Sequence, residues 1–594
     1  MGDPRGYSEP SEDKTEPFSQ SEIQARLQRS HLEEFNAMNS TVPLDKLVVP
    51  LDEDIRILMR PLARDRTVRE DQNLLPLELR AEEEDEAPHQ VLAVRQTSRD
   101  ISYTVSIPDY SNPNRRLICV LYYDPASDNQ VLVNRSHMPF TLSRISQEPE
   151  GSRGEQYQVN PQFSRALAPG TWRITMEGVD LLDFRLLERR PVRLRAVSSA
   201  ASDLSGTSDS TVNSSGKRSF LADEDDPVSP QKRRRPSKDA RGKEEEDRVI
   251  MFLPAKATTK TEPGKELSAP TGHPLLDLES DETVEVPRGG GVVGYTLTKK
   301  EPIASTALSS VFTAEYSDAP GRYVVAKVLR TTSPATAKNN EGAVAKTVIR
   351  QAQTWLRELE NLERLNHKSI VRLYGGDARF LSLYMEPVDG RDLSARDTWR
   401  HTSTDRFLGD SSDALRILED ISSALHYMHG KDLVHNDIKP GNILYSRERG
   451  AVLCDLGLSS EKPSPSFGGT PWYVPPEFIG LGKRGAPSDV WALGVVMLYV
   501  LDKIPWPEVR GHRNHPRHLF WRIADVHERD RNLQAAAVSS MQRWLSELNA
   551  VRNQLDLKNK VERLVHGMLA PNPKERLTTG DIISHLFAAQ SPRR

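Results

Sequence analysis

Between His435 and Asn442 the chain reads HNDIKPGN, and no other run restricts its fold and chemistry as much. An acid, a base and an amide stand there at the spacings that phosphoryl transfer needs. Asp437 can accept a proton from an incoming hydroxyl. Lys439, two residues on, can bring its charge to a transferring phosphate, and Asn442 can hold a metal through oxygen. Eighteen residues after Asp437, the run Val452-Leu453-Cys454-Asp455-Leu456-Gly457 reads as an apolar strand that ends in a carboxylate and a glycine. Asp455 is therefore a second metal-ligand candidate.

This pair of motifs resembles the catalytic loop HRDxxxxN and metal loop DFG of the eukaryotic protein kinases. The resemblance extends in order over about 300 residues. Tyr323-Val324-Val325-Ala326-Lys327 is similar to the VAIK strand, and RELENLERLNHKSIVRLY places Glu358 on a helix as the partner of Lys327. The strand Leu381 to Glu386 runs into Pro387-Val388-Asp389-Gly390, similar to the hinge between kinase lobes. Pro475-Pro476-Glu477 matches APE, with Arg576 as its partner, and Asp489 in SDVWALGVV matches the aspartate that braces the catalytic loop.

The resemblance implies an α+β, bilobal protein kinase fold over residues 286–590 that uses ATP and Mg²⁺ on a protein substrate with Ser or Thr. Asp437 and Lys439 are the implied catalytic residues, and Asn442 and Asp455 the metal ligands. Lys327, Glu358, Val311, Ala326, Glu386, Val388 and Leu444 are the implied nucleotide-binding residues, with Met385 as gatekeeper. Glu386 acts through its carbonyl and Val388 through its amide. Thr470 paired with Lys439 fits the Ser/Thr type.

Two departures qualify the match. Counting back from Lys327 puts Ala304, Thr306 and Ser309 where three glycines normally stand, so this degenerate loop predicts weaker or altered nucleotide binding. Asn436 replaces the arginine before the catalytic aspartate, a non-RD loop, which predicts activity independent of phosphorylation at Ser460, Ser464 or Ser466. A pseudokinase scaffold that binds partners without phosphoryl transfer is the alternative reading. Gly289 to Gly294 satisfies GxGxxG literally, but it lies 33 residues before Lys327 with no clear strand leading in and no periodic helix following. We read it as linker.

With 594 residues and 37% hydrophobic content, only part of the chain can fill a core. Residues 1–75 read as a largely disordered tail, with a short helix or docking peptide through Ile23, Leu27, Leu32, Phe35 and Met38. Residues 76–196 carry period-two patterning: Ile101, Tyr103, Val105 and Ile107 alternate, and the runs Leu117 to Tyr123 and from Gln130 are separated by DPASDN. This predicts a β-sandwich-like module. Its second half is weakly similar to forkhead-associated domains, with Asn134 as the matching asparagine and Ser136 and His137 adjacent to each other. A β-module that only packs, or binds a protein partner in another way, is the competing reading.

Residues 197–285 are Ser, Asp, Pro, Lys and Arg rich and read as a disordered linker about 50 Å in r.m.s. span. Within it, Lys217-Arg218 and Lys232 to Arg235 resemble a bipartite nuclear-localisation signal, beside the proline-directed site Ser229-Pro230. The 80 Lys plus Arg nearly balance 84 Asp plus Glu, so no global field draws the chain to nucleic acid or membrane. Two distant cysteines, Cys119 and Cys454, exclude a disulfide framework. The run Trp491 to Leu501 is too short to span a bilayer, the polar N-terminus is not a secretory signal, and Gly6 stands where myristoylation of Gly2 prefers Ser or Thr. A soluble intracellular protein, with a nuclear address, is expected.

Overall fold

The computed structural model describes residues 42–50, 54–62, 74–81, 88–109, 112–145, 155–190, 192–195, 272–288, 294–331, 341–461, 468–508 and 521–587. The chain forms two compact units that divide at about Arg190. No helix among the described residues is long and apolar enough to cross a membrane.

The first unit is all β. A seven-stranded antiparallel sheet runs in the order Leu74–Leu79, His89–Arg95, Ile55–Pro61, Val179–Leu186, Gly170–Met176, Phe140–Arg144 and Gln156–Val159. A four-stranded sheet holds Ser102–Ile107, Leu117–Tyr123, Gln130–Asn134 and Ser164–Leu167. Val105, Leu121 and Leu132 of the smaller sheet share one apolar cluster with Ile57, Trp172 and Phe184 of the larger. The alternation read in the sequence is thus the inward face of these strands.

One boundary needs correcting. The strand Ile55–Pro61 lies in the stretch read as tail, yet it is central to the larger sheet. Ile57 and Met59 enter the main cluster, while Ile55 and Leu58 enter a second one with Leu44 and Leu47. A strand buried on both faces shows no alternation, so IRILMRP carries no period-two signal. The helix expected over Ile23 to Met38 lies outside the described residues.

The second unit begins before the expected boundary at 286. Its upper sheet runs Arg193–Arg195, Thr283–Val286, Tyr295–Ser305, Ser309–Tyr316, Tyr323–Leu329, Ser382–Met385 and Leu373–Asp377. Leu275, Leu278 and Val284, all in the stretch read as linker, are buried in the core of this lobe. His273 Nε2 lies 3.0 Å from the Phe380 carbonyl.

The outermost strand follows the first unit almost directly, and Arg193, Leu194 and Arg195 pair with Glu285, Val284 and Thr283. The segment between Arg195 and Gly272 therefore joins two parts of one lobe. It is not the linker between the two units that its composition suggests. Arg-Leu-Arg, one apolar residue between two charged ones, could not announce this pairing, because an edge strand is defined by its neighbour.

The long helix Glu341–Glu363 packs beneath that sheet, burying Val348, Trp355, Leu359 and Leu362. Trp355 Nε1 donates to the Ser382 carbonyl at 2.9 Å and fixes the helix to the sheet. The lower lobe is helical and centred on Ala486–Val500, buried all round as its continuous apolar run requires. Around it lie Ser411–His429, Arg531–Arg552, Lys560–Met568 and Thr579–Phe587. An Asp410 capping box starts the first of these, its side chain accepting from Ser412 and Asp413 amides.

Candidate active site

Strand pairing sets the upper wall of the cleft. Val311 stands directly opposite Lys327 in the ladder and so projects from the same face of the sheet. Lys327 Nζ is 2.8 Å from both Glu358 carboxylate oxygens and 2.8 Å from Asp455 Oδ1. Burial opposes the charge on Lys327, but Asp455 and Glu358 more than restore it, holding its pKa above the ordinary lysine value. Glu358 is fully buried, and burial pushes its carboxyl up against the pull of Lys327. The expected Lys–Glu pair is closed.

Alternation also corrects one assignment. Ala326 points to the opposite face from Lys327 and is buried in the upper-lobe core with Val324, Val328 and Phe312. Val325, two residues before Lys327, takes the cleft side. It lies half-buried against the lower core, as do Val388, Leu444 and Cys454. Met385 is buried there at the end of its strand, and the Glu386 amide donates to the Arg372 carbonyl.

The hairpin between Tyr295–Ser305 and Ser309–Tyr316 is closed by Thr306 in place of glycine. Its hydroxyl oxygen accepts from the amides of Leu308 and Ser309, while its own amide donates to the Ser309 carbonyl at 2.8 Å. Gly289, Gly290 and Gly291 lie outside the described residues; Gly294 precedes a strand two places outward of the one bearing Lys327.

The catalytic loop gathers its polar groups on one carboxylate. Asp437 accepts from Lys439 Nζ at 2.6 Å, from the Thr470 hydroxyl at 2.9 Å and from Asn442 Nδ2 at 3.1 Å. Asn442 also donates to the Asp437 carbonyl at 2.9 Å, and Lys439 reaches the Thr470 oxygen at 3.1 Å. Lys439 is buried, but the Asp437 and Glu508 carboxylates keep its pKa above the ordinary value. Asp455 sits at φ +66°, its side chain 45% exposed and held on the cleft side by Lys327.

Beneath the loop, Asp489 is buried and accepts from the backbone amides of His435 and Asn436 at 2.8 and 2.9 Å, with His429 Nε2 at 3.0 Å. Those donors outweigh its burial and hold its pKa low. Glu477 and Arg576 form the expected fork at 2.8 and 2.9 Å. Ser464 and Ser466 lie outside the described residues. Ser460 pairs with Val434 and its hydroxyl oxygen accepts from Asn436 Nδ2 at 2.9 Å.

Two site residues carry no motif. Glu508, buried beside the loop, accepts from the Tyr473 hydroxyl at 3.0 Å; its only signal was a carboxylate next to Trp506-Pro507. Arg484 reaches the Asn436 carbonyl from below. In the first unit, Asn134 is fully buried: its amide donates to the Met138 and Val159 carbonyls, and its oxygen accepts from the Ser136 amide. Ser136 is likewise spent on the Ile118 backbone. Asn134 therefore holds its own loop, with both amide hydrogens engaged within the unit. Among the described residues no group of three or more His, Cys, Asp or Glu could hold a metal by itself.

The protein kinase domain family model matches residues 299–588. The chain is 31% identical over 225 residues to the probable serine/threonine-protein kinase pXi of Dictyostelium discoideum, covering 36% of this chain and 32% of that protein. It is 30% identical over 214 residues to the calcium/calmodulin-dependent protein kinase type 1 of Macrobrachium nipponense, covering 35% and 56%. It is also 30% identical over 243 residues to the Aurora/IPL1-related protein kinase 2 of Caenorhabditis elegans, covering 39% of this chain and 72% of the relative. The chain thus spans about a third to just over half the length of the first two. With the ordered motifs, the closed Lys327–Glu358 pair and a relative covered over most of its length, the chain belongs to the protein kinase family.

Proposed function

We propose that the chain is an ATP-dependent serine/threonine protein kinase that transfers a γ-phosphoryl group to a protein hydroxyl. The observation that supports this best is the convergence of Lys439, Thr470 and Asn442 on the Asp437 carboxylate. A carboxylate so held is oriented to receive the proton of an incoming Ser or Thr hydroxyl. Lys439, charged and next to it, offsets the negative charge that spreads over the transferring oxygens. Lys327, fixed by Glu358, would orient the nucleotide phosphates, and the Glu386 carbonyl, the Val388 amide and the side chains of Val311, Val325 and Leu444 would hold the adenine.

The Asn442 amide oxygen and the Asp455 carboxylate are hard donors suited to Mg²⁺, which takes few protein ligands and completes its shell with phosphate and water. When bound, the ion offsets phosphate charge. The Asn442 amide nitrogen is engaged by Asp437, so its oxygen is the group left for a cation. Asn436 donates to the Leu458 carbonyl and the Ser460 hydroxyl through a neutral amide. This supports activity that does not wait for a phosphate on the activation segment.

A pseudokinase scaffold is the second reading, favoured by the glycine-free hairpin at Thr306. Incorporation of labelled phosphate from ATP decides between them. Wild type should label a Ser/Thr peptide library or itself, and Asp437→Asn should fall about 10²–10⁴-fold; equal signal from both would sink the enzyme reading. Phosphatase-treated wild type should keep its rate, and its loss would defeat the phosphate-independent one.

A further inference from the structure

Residue 436 is asparagine, so the catalytic loop has no cation of its own in front of Asp437. A cation nevertheless reaches the loop. Arg484, on the turn between the helices Phe478–Leu481 and Ala486–Val500, is only 4% exposed. Its NH1 donates to the Asn436 carbonyl at 2.9 Å and its NH2 donates to the Gly468 carbonyl. One planar group therefore holds two backbone oxygens. The first belongs to the residue before Asp437; the second lies two residues before Thr470, whose hydroxyl donates to Asp437.

The surroundings are built for this contact. Asn436 adopts φ +67°, which leaves its amide on Asp489 and its carbonyl on Arg484. Gly469 adopts φ +110°, and a Cβ there would stand 3.0 Å from Arg484 NH1 and 3.2 Å from the Asn436 oxygen. Glycine is thus required where the segment crosses the guanidinium. Burial pulls Arg484 down to about 10, with Asp437 and Asp489 pulling the other way, so it stays charged at neutral pH. Because a guanidinium is a rigid fork of donors, the separation of its two acceptors is fixed by its covalent geometry.

We propose that Arg484 is a positioning residue for phosphoryl transfer, spacing the catalytic loop and the substrate-side segment so that Thr470 and Asp437 meet. It supplies from the second half of the lower lobe a link that does not depend on modification. The inference rests on the kinase reading above. It concerns how the catalytic aspartate is held during the chemical step, and nucleotide affinity should be untouched by it.

The test is steady-state kinetics on the full chain with Arg484→Met and Arg484→Lys, each assayed well below its own melting temperature, together with direct binding of a fluorescent ATP analogue. Arg484→Met should lose about 10- to 100-fold in kcat, the scale of a small misplacement of reacting groups, with ATP KM and analogue affinity within about twofold of wild type. Arg484→Lys, with the charge but not the fork, should recover part of the loss. An unchanged kcat in Arg484→Met would overturn the proposal. So would a fall in kcat matched by a rise in ATP KM and a loss of analogue binding that lysine does not relieve, since that pattern marks a collapsed site. A wild type that binds the analogue yet transfers no phosphate would instead remove the kinase reading, and the positioning role with it.

Discussion

Glu508 shows how a single side chain can tie the site to pH. It is 7% exposed and faces the Tyr473 hydroxyl, the Lys439 ammonium, the Asp437 carboxylate and, further off, Arg400. Burial pushes its carboxyl up to about 7, against the pull of Lys439 and Tyr473. In the unfolded chain the same group titrates near 4.5. The folded state therefore holds the proton more tightly, and the stabilisation is full below the unfolded value and lost as pH rises through about 7. Against Glu508→Gln, wild type should lose up to about 3 kcal/mol of relative stability between pH 5 and pH 8. Denaturant unfolding of both proteins across that range measures it, and parallel stability curves would show that Glu508 keeps its ordinary pKa. Nothing in Trp506-Pro507-Glu508 announces a buried acid, because its environment comes from Tyr473 and Lys439, both far away in the chain.

Elements differ in how openly the sequence declares them. The catalytic loop, the strand that ends at Lys327 and the helix bearing Glu358 were legible because residue type, spacing and order agree along 300 residues. The β-strands Leu117–Tyr123 and Gln130–Asn134 were legible because turn residues separate two apolar runs. Ile55–Pro61 was not, since burial on both faces erases the alternation. Ala326 was misassigned for a related reason: the motif fixes the strand, but the pleat decides which neighbour of Lys327 shares its face. Arg484 was invisible because its meaning depends on two carbonyls brought to it by folding.

At the same scale, the Thr306 hairpin replaces backbone freedom with side-chain hydrogen bonds. Ala304→Gly combined with Ser309→Gly should open the backbone to the phosphates and lower the ATP KM about 3- to 10-fold. A KM that rises would mean that the threonine-closed turn is itself the better cradle, and ATP titrations at fixed peptide distinguish the two.

For the whole molecule, the pairing of Arg193–Arg195 with Thr283–Val286 sets the connectivity. Bringing two adjacent strands together across a longer stretch of chain costs entropy that grows with the logarithm of its length. Replacing most of residues 197–271 by about ten Gly/Ser residues should therefore stabilise the second unit by about 2 kcal/mol and raise its melting temperature by a few degrees. Differential scanning calorimetry on the shortened chain checks this, and an unchanged or lower melting temperature would show that the outer strand does not contribute to the folded lobe.

The same pairing separates two things that a linear drawing of the chain would merge. Only two residues lie between Arg190 and the strand that begins at Arg193, so the covalent connection between the units does not run through residues 197–271. The basic clusters and the Ser229-Pro230 site sit on a detour that leaves one lobe and returns to it. Insertions, deletions or added phosphates along that detour change what it displays without lengthening the path between the β-rich unit and the catalytic one. Whatever address or signal it carries can thus be rewritten while the stretch of chain that joins the two units stays the same.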